Sequence, residues 1–571
     1  KVTLTKLDGT KVERVEEKPK YGGELTVARS TSIDYWDPGY ARQSSTDPHT
    51  SVGFVGLVEG DWTRGPAGTG EVGWTFSGFD QTRFMTGIMA ESWEIIEPDT
   101  VIYHMRQGFN FTLNPALEAS RLAGGREITA DDIVWEMRRI SNIGEEPMPL
   151  ASLHLSARLA TPIEIYAPDK WTVVAKFRLG NLPLGVQYFG PRTYPYPPEV
   201  VAKYGDLNDW KTVISTGPYI LMDYVPMSSL TWVKNPDYPQ MDPYFPENQL
   251  PYFDSFKMLI MPDASTRLAA MRTGRIDVDQ TGYTYDDASA LMATSPEVQS
   301  SKYMSTSVIY LGGREDLPEL PFDDINVRRA LNMAIDGKEI VDTYFSGEAE
   351  EFCPIVPRVP EWSDIHTTLE ELGPAPDGFD TQKIFGYYPE EAKQMLADAG
   401  YPDGFKTSVV LVQPNVDMAS IIAAYWEKIN VDLELIVVDS GVHNSMARAH
   451  SYDEMLMRSF GNLGRVWGMQ FTSPGHFINA AVVNEPEVLE RYAMVTSLHA
   501  GSPEWNKVVK ENAVWQLHRS DHYFTPQPYM WVFWQPWVKR FYGEKNVGPM
   551  HDFSWVKYAW VDQDLKKAMG R

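Results

Sequence analysis

Residues 408–438 read SVVLVQPNVDMASIIAAYWEKINVDLELIVV, and this stretch decides the fold class. Two runs rich in apolar and β-branched residues, Ser408–Val412 and Asp432–Val438, flank the segment Met418–Ile429, whose apolar side chains recur at helical spacing. A strand, a helix and a second strand in this order predict a β-α-β unit with two parallel strands. Because a parallel sheet needs helices on its faces, we expect an α/β protein.

Helix boundaries can be placed on both sides of this unit. The segment Pro389–Ala399 begins with proline and two glutamates, and glycine follows its end, which is the pattern of a capped helix. In Ile128–Ile140, Thr129 precedes Asp132 by three positions, which predicts a capping box. Paired carboxylates such as Asp323-Asp324 are therefore interpreted as helix starts and not as the two acids of a glycosidase.

Strands are predicted at Glu24–Ala28, Thr100–Arg106, Tyr219–Lys234 and Tyr252–Met261. Residues 53–78 are rich in Gly and Trp and show neither a helical nor a strand period, so we expect a long excursion on the surface. Within them, Gly68–Gly73 matches the literal GxGxxG pattern. No strand precedes this pattern and no helix follows it, so no dinucleotide site is predicted.

Length and composition limit the classes of protein to which this chain can belong. The chain has 571 residues, 43% of them hydrophobic, and this length predicts two or three domains. A formal net charge of -26 disfavours nucleic acid and anionic membranes as partners. Cys353 is the single cysteine, so no intramolecular disulfide can form. No apolar run is long enough to span a bilayer and no signal-peptide pattern follows Lys1, so an exported protein would be in its mature form.

Eight short motifs follow one another along the chain: Tyr21–Val27 (YGGELTV), Met89–Trp93 (MAESW), Tyr103–Gly108 (YHMRQG), Ile128–Val134 (ITADDIV), Ser215–Tyr219 (STGPY), Met271–Asp277 (MRTGRID), Val327–Asp336 (VRRALNMAID) and Tyr388–Phe405. Their order resembles that of the family 5 extracellular solute-binding proteins of ABC importers, over roughly residues 21–543. Each motif alone is weak, but chance matches would not preserve order and spacing together. Most of these residues are expected to be scaffold, so the resemblance does not locate the ligand contacts.

The resemblance implies an α/β, periplasmic-binding-protein-like fold of the class II type, with two lobes and an extra inserted domain, three domains in all. Domain I is expected to combine residues 1–50, 190–264 and 536–571, domain II to be the insertion 51–189, and domain III to be the α/β lobe 265–535. A ligand would be enclosed between domains I and III by hinge closure.

The same resemblance implies the partners and the compartment. The partners are a small-molecule ligand and the membrane permease of an ABC importer, and no cofactor is expected. We expect a monomer in the periplasm or outside the cell, which a removed N-terminal segment could have anchored to a membrane.

Two departures from the peptide-binding members of the family narrow the range of possible ligands. Those members commonly carry an acidic residue that pairs with the free amine of the peptide, and this chain has Asn462 nearest to that position. Dipeptide binders tend to place an arginine at a second position, where this chain has Gln413–Asn415. A neutral amide cannot balance a buried ammonium, which argues against a small zwitterionic peptide. We therefore expect an oligosaccharide or an uncharged or extended peptide. The alternatives are an ordinary oligopeptide held through its backbone and a carbohydrate-active enzyme.

The candidate ligand-binding residues combine amides that donate and accept, aromatic rings that stack on sugars or apolar bodies, and an arginine available to a carboxylate. They are Tyr35, Trp36, Gln413, Asn415, Arg458, Phe460, Asn462, Trp467 and Trp534. No residue is predicted to be catalytic. His518 and His522 are four apart and would share a helix face, but no third ligand accompanies them, so no metal site is predicted.

Overall fold

The computed structural model of the chain describes every residue except 34, 40–47, 76–81, 144–160, 206, 306, 353–354, 462–470, 473 and 549–552, and it leaves out the side chains of 48–50, 188, 460 and 461. The strands are, in chain order, β1 (Val2–Thr5), β2 (Lys11–Arg14), β3 (Glu24–Arg29), β4 (Val58–Gly60), β5 (Met85–Gly87), β6 (Ala90–Ile96), β7 (Thr100–Met105), β8 (Pro162–Asp169), β9 (Thr172–Phe177), β10 (Tyr219–Val225), β11 (Ser229–Lys234), β12 (Ser255–Ile260), β13 (Val278–Tyr283), β14 (Gln299–Met304), β15 (Ser307–Gly313), β16 (Ala349–Glu350), β17 (Phe405–Leu411), β18 (Val431–Val437), β19 (Met455–Gly461), β20 (Tyr523–Phe524), β21 (Gln527–Trp534), β22 (Val538–Lys539) and β23 (Trp560–Val561).

The α-helices of the described residues are α1 (Pro48–Gly53), α2 (Glu118–Ala123), α3 (Ala130–Ser141), α4 (Leu182–Arg192), α5 (Pro198–Tyr204), α6 (Ala264–Arg272), α7 (Tyr285–Thr294), α8 (Ile325–Met333), α9 (Gly337–Thr343), α10 (Pro389–Asp398), α11 (Val416–Glu427), α12 (Ser440–Ala449), α13 (Pro486–Thr496), α14 (Pro503–Arg519) and α15 (Gln563–Ala568). Within the same part of the chain, none of them combines the length and the apolar character that crossing a membrane requires.

Three sheets carry the architecture, with three two-stranded ribbons beside them. The largest has the order β10-β11-β12-β3-β13-β21-β14, and β16 also pairs with β21. An antiparallel sheet has the order β6-β7-β9-β8, and a five-stranded sheet has the order β18-β17-β19-β15-β20. The largest sheet draws on chain segments as far apart as 24–29 and 527–534, whereas the five-stranded sheet comes from residues 307–524. This is the two-lobed α/β arrangement with an inserted domain that the sequence predicts.

The predicted β-α-β unit is confirmed in the five-stranded sheet. β17 and β18 pair in parallel from Phe405 opposite Val431 to Leu411 opposite Val437, and α11 connects them. Ile422 of α11 is fully buried in the apolar cluster that covers one face of this sheet. Burying such a side chain contributes about 1.5–3 kcal/mol. The apolar spacing that predicts the unit therefore also stabilises it.

Both predicted helix starts are confirmed. In α3 the Asp132 carboxylate accepts from the backbone N–H of Thr129 at 2.9 Å and also pairs with Arg126 at 2.7 Å. The helix α10 begins with Pro389 and ends before Gly400, whose φ of 97° lies in the left-handed region that glycine adopts freely. These ends satisfy backbone groups that a helix leaves unpaired.

The prediction that residues 53–78 form a surface excursion is wrong for their described part, residues 53–75. Residues 51–60 are all buried, and Trp62 and Trp74 are each 1% exposed within the main apolar cluster. A Cβ on Gly68 would clash with the carbonyl oxygen of Thr63. The glycines of this stretch thus permit close packing of irregular backbone, which a period search does not detect.

The predicted domain boundaries stay a prediction. The strand pairings place β13, β14 and β21, all within residues 265–535, in the largest sheet with β3. The chain passes from this sheet to the five-stranded sheet between β14 and β15, and it returns between β20 and β21.

Gly312 of β15 offers a test of how closely the five-stranded sheet packs. A Cβ on Gly312 would lie 2.6 Å from backbone atoms of Ala480 and Ala481, whereas a Cβ on Gly73 would meet its nearest neighbour at 3.5 Å. We expect Gly312→Ala to lower the free energy of unfolding by about 1–3 kcal/mol, because backbone cannot yield as a flexible side chain can. The control Gly73→Ala should change it by no more than about 0.5 kcal/mol. The urea midpoints of the two variants measure this, and equal midpoints would contradict the close approach.

Candidate functional site

The parallel strands β17 and β19 lead to one edge of the five-stranded sheet. β17 pairs in parallel with both β18 and β19. The connection after β17 is α11, which packs on one face of the sheet, and Phe471 and Ile478, which follow β19 in sequence, are buried on the other face. Neighbouring parallel strands whose connections leave to opposite faces are separated at their carboxyl ends, and ligands of α/β proteins bind there.

Gln413 and Asn415 lie in the 3₁₀ turn Gln413–Asn415 after β17. Gln413 is exposed, whereas Asn415 is 3% exposed at the start of α11. The Asn415 side chain caps no backbone group of the helix, and its Nδ2 has no hydrogen-bond partner within the part of the chain that the structure describes. A buried donor without an acceptor costs about 1–3 kcal/mol. An acceptor atom of a ligand at this edge would remove that cost.

Arg458 lies on β19, opposite Tyr310 of β15 and on the same face of the sheet as Leu456. Its side chain is 5% exposed. The Nη2 atom donates to Asn444 Oδ1 at 3.3 Å, and Nε and Nη1 have no acceptor among the described residues. Burial lowers the pKa of Arg458, because desolvation disfavours the charged guanidinium. The predicted ligand contact of Arg458 stays a prediction.

Aromatic side chains and a histidine surround Arg458. The ring centroid of Phe477 lies 5.4 Å from Arg458 Cζ. The hydroxyl of Tyr310 donates to the carbonyl of Ile478 at 2.9 Å, so this buried group is satisfied. His443 Nε2 donates to a backbone carbonyl of β19 at 2.9 Å, and burial, with the charge of Arg458, lowers the pKa of His443. The imidazole is therefore neutral near pH 7 and adds no second charge.

Tyr35 and Trp36 lie in the other lobe, after β3. Tyr35 is 40% exposed. Trp36 is 6% exposed and packs edge-on against Tyr224, with ring centroids 4.8 Å apart. Burial gives Trp36 a packing role, while the predicted ligand contacts of both residues stay predictions.

Trp534 is 9% exposed at the end of β21 in the largest sheet, with its ring centroid 5.1 Å from that of Phe541. It lines a depression of about 430 Å³ together with Trp560, and no residue of the five-stranded sheet contributes to that depression. Asn462 and Trp467 lie outside the described residues, as does the side chain of Phe460. The roles of these four residues in ligand binding stay predictions.

The prediction that His518 and His522 share a helix face is wrong, because α14 ends at Arg519 and Ser520 takes a left-handed conformation with φ of 55°. His518 Nε2 donates to a backbone carbonyl at 3.2 Å, whereas the ring of His522 packs 5.4 Å from that of Tyr310. Throughout the residues described above, no group of three or more His, Cys, Asp or Glu side chains could hold a metal ion.

Sequence reasoning missed Asn444 and Phe477, which both contact Arg458. A signal for this environment was present, since residues 455–484 contain no Asp or Glu although the chain has a net charge of -26. A stretch that keeps arginine and lacks acids is a stretch of locally uncompensated positive charge. The aromatic and amide contacts themselves come from other elements, and no spacing in the sequence indicates them.

Two adjacent chain segments join the lobes. The backbone N–H of Ser305 donates to the carbonyl of Pro528 at 2.9 Å, and the buried side chain of Gln527 donates to the carbonyl of Ser305 at 2.6 Å. Only two residues separate β14 from β15, and two separate β20 from β21. Short crossings that lie side by side let two lobes rotate about a hinge. The fold and the hinge together define a two-lobed ligand-binding protein.

The family follows from the sequence comparison. A family model described as bacterial extracellular solute-binding proteins, family 5 Middle, matches residues 85–475, and the chain belongs to this family. The family consists of binding proteins and not of enzymes.

Curated relatives are similar over part of their length. Heme-binding protein A of Haemophilus influenzae is 26% identical over 362 residues, which cover 60% of this chain and 60% of that protein. The dipeptide-binding protein of Escherichia coli (strain K12) is 24% identical over 399 residues, which cover 66% of this chain and 68% of that protein. The match thus spans about three fifths of the length of the first relative and about two thirds of the second.

Solved structures match nearly the whole chain. The oligopeptide-binding protein AppA from Bacillus subtilis, in complex with a nonapeptide, has a TM-score of 0.67 at 17% identity, over 95% of this chain and 100% of that one. The protein AgaA from A. tumefacien R10, in complex with agropinic acid, has a TM-score of 0.69 at 18% identity, over 95% and 99%. These likenesses confirm the predicted fold class.

Arg139 and Arg458 form a matched pair for testing whether Arg458 is held for a ligand. Arg139 is 1% exposed and pairs with Asp37 and with Glu136, each at 2.8 Å. We expect Arg139→Met to lower the free energy of unfolding by about 3–5 kcal/mol, because buried carboxylates lose their partner. In the ligand-free protein Arg458→Met should leave that free energy unchanged or raise it, because it removes a desolvated charge that no described carboxylate balances.

Chemical unfolding of ligand-free protein, followed by tryptophan fluorescence, compares these two variants with the unsubstituted chain. A loss of more than about 2 kcal/mol in Arg458→Met would mean that Arg458 is a structural residue of the lobe.

Proposed function

We propose that this chain is the extracytoplasmic solute-binding component of an ABC importer, which encloses a small molecule between two lobes and delivers it to a membrane permease. One observation carries the proposal: Asn415, after β17, and Arg458, in the middle of the adjacent parallel strand β19, have buried donors without described acceptors. Membership of family 5 and the two-segment hinge support it. A hinge is needed because capture requires a closed state with higher affinity for the solute than the open state.

The proposed solute is an oligosaccharide or a peptide-like molecule. Gln413 and Asn415 supply amides that donate and accept, which suits sugar hydroxyls and peptide bonds alike. The similar proteins include dipeptide and oligopeptide binders, which favours a peptide, and they also include binders of heme and agropinic acid. A peptide held by its free amine is disfavoured, because residues 455–484 offer no carboxylate to balance an ammonium.

The proposal also assigns the solute contacts of each lobe, the oligomeric state and the compartment. The exposed ring of Tyr35 would meet the solute from the lobe of the largest sheet, and Gln413 and Arg458 would meet it from the other lobe. The protein would work as a monomer in the periplasm or outside the cell. The predicted segments of domains I and III would be the closing lobes.

A ligand panel tests this function on the full chain. Peptides of increasing length and cello- and xylo-oligosaccharides are added separately while thermal unfolding is recorded. We expect one class to raise the melting temperature, since a ligand present at about 100 times its Kd adds about 2.7 kcal/mol to stability. Small-angle X-ray scattering of the same mixture should report a smaller radius of gyration as the lobes close.

Each alternative function predicts a different result in this ligand panel. A shift with peptides and none with oligosaccharides removes the sugar proposal, and the reverse removes the peptide proposal. Turnover of any panel member, found by mass spectrometry after long incubation, would contradict the binding function in favour of an enzyme. Binding without a change in the radius of gyration would contradict closure.

A further inference from the structure

Arg458 carries a buried positive charge that no described carboxylate balances. The charged or ionisable groups that act on it are Tyr310, Tyr452 and Arg448, none of which supplies a negative charge at neutral pH. Its polar neighbours are the neutral amide of Asn444 and the neutral hydroxyl of Tyr310, and its ring contact is with Phe477. The chain around β19 adds no acid, because residues 455–484 contain no Asp or Glu.

Several other buried arginines of this chain have carboxylate partners. Arg139 pairs with Asp37 at 2.8 Å, and Arg540 pairs with Asp242 at 2.6 Å. Pairing is the rule because a charge taken out of water without a partner is strongly destabilising. Arg458, in the middle of β19 and next to the carboxyl end of β17, has no such partner among the described residues. A solute is therefore a candidate for the balancing charge.

The guanidinium has donors left for an anion. Asn444 occupies Nη2 at 3.3 Å, and Nε and Nη1, which carry three of the five N–H donors, have no acceptor among the described residues. Both atoms are closed off from solvent, so bulk water does not replace the acceptor. Asn415 Nδ2 adds a free donor after the neighbouring strand.

We propose that the solute carries a carboxylate that binds Arg458. This inference rests on the proposed solute-binding function and narrows it. The solute becomes an acid, such as a peptide bound through its C-terminal carboxylate or an acidic sugar, instead of an uncharged molecule.

A carboxylate fits this place better than a phosphate dianion. One buried guanidinium needs one negative charge, and the second cation nearby, Arg448, is exposed and solvated. The planar guanidinium matches the planar carboxylate in its hydrogen-bond geometry.

Two matched pairs of probes test the proposal by calorimetry on the full chain. The first pair is the tetrapeptide Ala-Leu-Ala-Leu as its free acid and as its C-terminal amide. The second pair is the trimer of galacturonic acid and the neutral trimer of galactose. We expect the acid of at least one pair to bind at least about 30-fold more tightly than its neutral partner, because loss of one partner of a buried charged pair has an effect of this size.

Three variants assign the preference to Arg458. Arg458→Met should bring the Kd of the acid to that of its neutral partner, and Arg458→Lys, which keeps the charge without the planar fork, should retain part of the preference. The control Lys406→Met removes the same charge at the opposite end of β17, where the side chain is 88% exposed, and should bind like the unsubstituted chain. Equal affinity for acid and neutral probes, or a preference that survives in Arg458→Met, would overturn the proposal.

If none of the four probes binds, a second measurement tests whether Arg458 binds a carboxylate. Sodium acetate at about 100 mM should raise the melting temperature above that in sodium chloride of equal ionic strength, in the unsubstituted chain and in Lys406→Met but not in Arg458→Met. Absence of this difference, or a larger shift with methylphosphonate, would refute a carboxylate site. Closure around a neutral solute would refute the carboxylate site and leave the proposed function intact. Acid binding without closure would support the carboxylate site and contradict the proposed function.

Discussion

The parallel pairing of β17 with β18 on one side and β19 on the other is the constraint on which the candidate site depends. Parallel neighbours require helical crossovers, and right-handed crossovers running in opposite directions place α11 and α12 on opposite faces of the sheet. Ligands of α/β proteins bind where such strands end. Asn415 follows β17, and Arg458 in the middle of β19 lies next to the same end of β17, so the ladder brings the two residues to one edge although they are 43 residues apart in sequence.

Stability and binding make opposite demands on the charges of this protein. The lobe interior satisfies Arg139 with two carboxylates, which holds α3 against the chain after β3. The guanidinium of Arg458 is also buried but has no such partner among the described residues. A buried charge without a partner lowers the stability of the empty protein, and a ligand that pairs with it would restore that stability. Under the proposed function, the adjacent crossings at Ser305 and Gln527 would allow this exchange without unfolding either lobe.

Local rules were sufficient where the deciding interactions are close in sequence. The capping box of Thr129 and Asp132 and the unit around α11 were predicted because their hydrogen bonds and apolar stripes repeat within a few residues. Local rules failed for residues 53–75, whose Gly and Trp side chains are explained by distant backbone and by the main core. They failed again at His522, because a left-handed residue after α14 turns the chain away from the helix.

For the candidate site, the sequence and the tertiary structure determined clearly different properties. The sequence alone determined the α/β class, the order of the family 5 motifs, the identity of Asn415 and Arg458 as candidates, and the lack of acids in residues 455–484. Only the tertiary structure decided that Arg458 is buried beside Asn444 and Phe477 with donors to spare, and that Trp36 packs in a core. The physical reason is that side-chain types and short periods are written along the chain, whereas burial and pairing depend on which distant segments the sheets bring together.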